Sequence, residues 1–73
     1  MSLAQVKKLL FPFRPARVHV SDGKSYRIEH PEFFMLFEHK IIVGVPSKRP
    51  GVMANDFHSS LLHITAIEEQ IDL

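Results

Sequence analysis

Six cationic side chains are the residues most able to do chemistry: Arg14, Arg17, Lys24, Arg27, Lys48 and Arg49. Grouped on one surface they would contact an anion or a nucleic-acid backbone, with affinity that falls steeply with salt. Two of them gain a definite geometry from the stretch Val18-His19-Val20-Ser21-Asp22-Gly23-Lys24-Ser25-Tyr26-Arg27-Ile28. Its two alternating runs read as strands joined by a tight turn. A two-residue Asp22-Gly23 turn would put valines and polar residues on the same face. A three-residue loop, Ser21-Asp22-Gly23, pairs Val20 with Lys24 and Val18 with Tyr26. Gly23 then takes the left-handed position, where it carries no steric penalty. In that register Arg17 and Arg27 stand directly opposite each other on the outer face. Like charges so placed are destabilising unless offset. Glu29, diagonal to Arg17, is the expected offset; an arriving anion is the functional alternative.

Other reactive types are scattered. The five histidines are His19, His30, His39, His58 and His63. A zinc site needs three or four converging ligands, and no His-Glu-x-x-His helix motif is present. His58 and His63, five apart, fall on opposite faces of a continuous strand. Asp56, Ser59, Ser60 and His63 are the residue types of a hydrolytic triad, but no nucleophile elbow surrounds them. Three glycines form no phosphate-binding loop. No catalytic, metal or cofactor-binding residue is assigned, and no cofactor is expected.

The elements that position these residues belong to one small domain. The chain has 73 residues, of which 45% are hydrophobic, and no cysteine to staple it. Such a core is marginal, and small domains often gain stability by associating. The apolar runs at 33–37 and 41–45 are too short to span a bilayer, and no secretory leader is visible, so a cytoplasmic protein is expected. Net charge is +1. Residues 1–30 carry +4 (Lys7, Lys8, Arg14, Arg17, Lys24 and Arg27 against Asp22 and Glu29), and residues 31–73 carry −3. That asymmetry suits either nucleic-acid contact or head-to-tail association of copies.

Ser2 and Gln5 form a capping box for a helix over about 3–10, with Leu3, Val6 and Leu10 on one face. We read this helix as a lid on an open end of a sheet. Pro12 and Pro15 hold an extended segment that Phe11 and Phe13 anchor to the core. The hairpin covers about 16–30. A strand at about 33–38, apolar on both faces, is expected to be covered on both sides, one of them by the helix. A second strand lies at 41–45, with Gly44 as a bend or close-approach point. Residues 46–56 read as an irregular loop rich in breakers, with Lys48-Arg49 at its tip. A last strand at about 60–68 bends near Thr65-Ala66, and an acidic tail runs from Glu68 to Leu73.

The order of elements resembles the Sm-like small barrel, a strongly bent five-stranded antiparallel sheet capped by an N-terminal helix. The likeness rests on the Val18 to Lys24 hairpin and on the closing Leu62-His63-Ile64-Thr65-Ala66-Ile67 segment. The chain also resembles a group of small bacterial proteins without an established activity. Here the likeness is carried by Pro12-Phe13-Arg14-Pro15, Ser21-Asp22-Gly23-Lys24, His30-Pro31-Glu32, Val43-Gly44 and Leu61-Leu62-His63-Ile64. The Sm-like resemblance implies a homo-oligomer that binds RNA. The family's Asn-bearing loop has no counterpart, and His63-Ile64-Thr65-Ala66 stands where its Arg-Gly-Asp-like segment belongs, so no RNA-binding residue carries over. The expectation is a mainly β, non-catalytic domain that self-associates or binds a protein. A single-stranded RNA or DNA binder is the alternative, and no membrane contact is expected.

Overall fold

The computed structural model describes residues 1–49 and 52–70. A short helix, α1 (Leu3–Leu10), precedes six strands: β1 (Ala16–Val20), β2 (Ser25–Ile28), β3 (Phe34–Leu36), β4 (Lys40–Pro46), β5 (Met53–Ser60) and β6 (Ile64–Glu69). They form two three-stranded antiparallel sheets, ordered β2-β1-β6 and β3-β4-β5. This corrects the expected single bent sheet of five strands, and the two sheets do not close into a barrel.

Helix α1 starts where the sequence places it. The Gln5 amide donates to Ser2 Oγ (3.2 Å), and the Ser2 amide donates to Gln5 Oε1 (2.9 Å). These bonds satisfy two otherwise orphaned donors. Val6 and Leu10, one turn apart, are fully buried, Leu3 is half-buried, and Lys7 and Lys8 face outward. Phe11 leaves the helix in an extended conformation, as a residue before proline must.

The β1–β2 hairpin has the three-residue loop. Val18 faces Tyr26 and Arg17 faces Arg27. The Val20 amide donates to the Lys24 carbonyl (2.9 Å), and Gly23 has φ of +91°. Asp22 Oδ1 accepts from the Lys24 amide (2.8 Å) and closes the turn. Alternation then sends Val18, Val20 and Ile28 inward, all of them buried.

Pro31 ends the hairpin in a 3-10 turn (Pro31–Phe33). The following strand is therefore only three residues long rather than the expected 33–38. Phe34 and Leu36 point in, but Met35 and Phe37 are 59% and 41% exposed. The expectation of cover on both faces fails because α1 packs into the core with Val6 and Leu10 instead of over Met35. Phe34 carries the aromatic anchor, with Phe13 stacked on it at 5.8 Å and Phe11 edge-on at 6.1 Å. Phe11 is nonetheless 53% exposed, so it grips the core only by its edge.

The expected irregular loop at 46–56 is shorter than read, since Pro46 and residues 53–56 are strand. Pro46 still belongs to β4, and β5 begins at Met53; the Ser47 amide donating to the Val52 carbonyl (3.0 Å) closes the connection. Pro50 and Gly51, two of the breakers read there, lie outside the described residues. The expected strand at 60–68 also divides. Its turn is a 3-10 turn at Leu61–His63, ahead of Thr65-Ala66, where the Ser60 side chain accepts from the Leu62 amide. Ser60 thus acts as a cap at the corner between the two sheets. Glu68 and Glu69 form part of β6 rather than a tail, and Ile71 to Leu73 lie outside the described residues.

The core lies between the sheets: Ala16, Val18, Val20 and Ile28 from β1 and β2, Phe34, Ile41 and Val43 from β3 and β4, with Leu61, Ile64, Val6 and Leu10. Tyr26 and Phe57 stack at 3.9 Å between ring centroids and join the sheets across the open side. Gly44 is a close-approach point, because the Met53 side chain lies where a Cβ would stand.

Candidate functional site

The six cations do not converge on one surface patch. Strand register places Arg27, Arg17 and Glu68 side by side across β2, β1 and β6. Glu68 thus stands directly opposite Arg17. The expected partner, Glu29, reaches Arg27 instead, at 3.2 Å. Glu68 was missed because its neighbour is set by β1–β6 pairing between distant parts of the chain. Arg17 Nη1 donates to Ser25 Oγ (3.1 Å), and His19 lies 3.7 Å from Glu68. Arg14 pairs with Glu69 at 3.0 Å, both groups being largely exposed. Pairs this open contribute about 0–1 kcal/mol and do not fix the side chains. Lys24 sits beside the hairpin turn, and Lys48 and Arg49 sit in the β4–β5 connection on the other sheet. Arg17, Lys24, Lys48 and Arg49 make no ion pair among the described residues.

The histidines are arranged differently from the expectation. His58 lies on β5 and His63 on the 3-10 turn, so they do not occupy opposite faces of one strand. Both line one open cleft with Val20, Ser21, Asp22, Phe57, Ser59 and Ser60, of about 350 Å³. Within it the triad-type residues split into separate pairs. His58 Nε2 meets Asp56 Oδ2 at 2.7 Å, whereas His63 Nδ1 faces Ser21 Oγ at 3.4 Å. Ser59 Oγ donates to the Ser60 carbonyl (3.0 Å). Asp56, His63 and a serine therefore do not form one relay. Among the described residues no group of three or more His, Asp or Glu is placed to hold a metal ion.

The cleft has another meaning. Residues 57–60 all line it, although neighbouring residues of a strand point to opposite faces. A cleft running along the strand's edge meets both faces at once. That edge is the side of β5 away from β4, and no strand pairs with it among the described residues. Strand β6 is likewise an edge, of the other sheet. β5 is the longer of the two, and Ser59 is its one buried residue.

Beside this edge the outer face of the sheet is apolar. Met35 and Met53 there are 59% and 45% exposed, beside the half-buried Ile42. A shallow cavity of about 70 Å³ opens there between Phe33, Met35, Ile42, Gly44 and Met53, with Glu32 and Asp56 at its rim.

Sequence reading missed β5 as a strand. Asn55-Asp56 resembled a turn, and an edge strand needs few apolar residues. The available signal was the mirror relation across the connection, with Phe57 falling opposite Val43. Comparison of the chain with family models, curated proteins and solved structures finds no match.

Proposed function

We propose that the chain is a small non-catalytic β domain that works by self-association, with its exposed strand edges as the contact. The observation that carries this reading is β5: eight residues long, paired on one side only among the described residues, with an open cleft beside its other edge. Such an edge offers a row of unpaired amides and carbonyls, which proteins normally blunt or cover. β5 carries no lysine and, within its described span, no proline. A marginal core gives association a second benefit, since binding stabilises the folded chain by mass action.

The same topology supports an Sm-like organisation. Read β2 and β3 as two arms of one strand broken at Pro31. The order then becomes β6, β1, β2 with β3, β4, β5, with an N-terminal helix and a 3-10 turn before the last strand. A protein partner that supplies a strand to β5 would use the same edge.

A second reading, binding of single-stranded RNA or DNA, draws on one observation, the opposition of Arg17 and Arg27 on an exposed face. Glu68 and Glu29 beside them weaken the local positive potential.

Light scattering across a concentration series, with and without a mixed short-oligonucleotide pool at low and moderate salt, separates the two readings. Self-association predicts a mass above that of the 8.4 kDa chain that is indifferent to the oligonucleotides. Nucleic-acid binding predicts complexes at low salt that disperse at higher salt. A monomer at every concentration removes the first reading.

A further inference from the structure

We propose that β5 pairs with β5 of a second copy, antiparallel about Phe57, so that the two β3-β4-β5 sheets continue into one another. The proposal rests on the self-association reading and specifies its edge and register.

The strand reads Met53-Ala54-Asn55-Asp56-Phe57-His58-Ser59-Ser60. A two-fold axis makes a strand its own antiparallel partner, so the sequence must be self-complementary. Shifting the register by one residue sets inward side chains against outward ones, which excludes every second alignment. Among alignments that keep the faces, two pair nearly the whole strand. One is centred on Asp56 and sets two carboxylates directly opposite, which is destabilising. The other is centred on Phe57. It sets Asp56 opposite His58 of the second copy and His58 opposite its Asp56.

The remaining pairs fit as well. Asn55 meets Ser59, and Ala54 meets Ser60, so small or polar groups stand at both ends. Phe57 meets its own copy on the inner face. There it is only half-buried and already stacked on Tyr26, so pairing would extend each stack and cover it. On the outer face Asp56 and His58 already touch within one chain at 2.7 Å and are exposed by 61% and 50%. Pairing brings two such couples together with unlike groups adjacent across the junction. The open cleft beside residues 57–60, with Val20, Ser21, Asp22 and His63 as its far wall, is where the incoming strand would enter.

The absence of cysteine makes the test clean. Ala54→Cys and Ser60→Cys variants are mixed and oxidised mildly, and the products are read by mass. Directly opposed residues of an antiparallel pair lie about 4.5–5.5 Å apart at Cα, within disulfide reach. The mixture should give a covalent heterodimer. Neither variant alone should cross-link, because position 54 of one copy lies about 20 Å from position 54 of the other. A second arm avoids the Ser60 cap. His58→Asp should weaken association about tenfold by placing carboxylates opposite. Asp56→His/His58→Asp should restore it, since the swap preserves every unlike pair. Circular dichroism checks that each variant folds. An associated protein that fails to form the 54–60 link, or that the swap does not rescue, overturns this register while leaving self-association standing. A folded monomer throughout overturns both.

Discussion

Gly23 offers the sharpest test of the hairpin that sets the β1–β2 register. Its φ of +91° lies where an L side chain is strained, and a Cβ added there would meet no atom within 4 Å. Any cost of Gly23→Ala must therefore come from the backbone and not from a clash. The left-handed region costs an L-residue about 1–2 kcal/mol. For a domain of this size 1 kcal/mol shifts Tm by about 4–8 °C, so Gly23→Ala should melt roughly 4–16 °C lower. Gly23→Asn should lose less, since Asn tolerates this region. D-alanine at the same position, introduced by chemical ligation, should raise stability by about 0.4–1 kcal/mol, because it fits the native φ and restricts the unfolded chain. The assay is thermal and urea unfolding followed by circular dichroism. A neutral Gly23→Ala, or equal losses from the D and L forms, would refute the three-residue loop. The Val18–Tyr26 register would go with it.

Three further outcomes follow from packing. Leu10 is fully buried, so Leu10→Ala should cost about 2–5 kcal/mol and leave so small a domain largely unfolded, as read by urea titration. Ser2→Ala removes the capping-box acceptor and should cost about 1 kcal/mol, with fraying confined to residues 3–6 in amide exchange. A Cβ at Gly44 would overlap the end of the Met53 side chain, which is flexible and 45% exposed and can swing outward, so Gly44→Ala should cost about 1 kcal/mol or less. In a Met53→Ala background the same change should cost almost nothing, so that the double-mutant cycle gives a coupling equal to the single-mutant cost.

Local features were legible in the sequence, and long-range ones were not. The capping box, the three-residue loop and the close approach at Gly44 each follow from a few adjacent residue types, and each is present. β5 was hidden because its strand character comes from pairing with β4 rather than from its own composition. Asn55-Asp56 favours turns in isolation, and only the ladder to Gly44 and Val45 makes it extended. The bend was misplaced for a related reason. Leu61-Leu62-His63-Ile64 looks like a strand, but the Ser60 cap turns it, leaving Leu62 87% exposed. Among the candidate cations, the opposition of Arg17 and Arg27 was readable from alternation. The neutralising Glu68 was not, because β6 lies more than forty residues away in the chain. The two histidines that share the cleft were unreadable while one strand was assumed to carry both.

The central claim is that the free edge of β5 is a contact surface. Amide hydrogen exchange resolved along residues 53–60, measured from dilute to concentrated protein, tests it most directly. The account predicts that the β5 amides directed away from β4 exchange quickly when dilute and become protected as concentration rises. Over the same series the amides bonded to β4 should hold a steadier protection. Fast exchange along that edge at every concentration, in a chain that light scattering finds associated, would place the contact elsewhere and contradict the account.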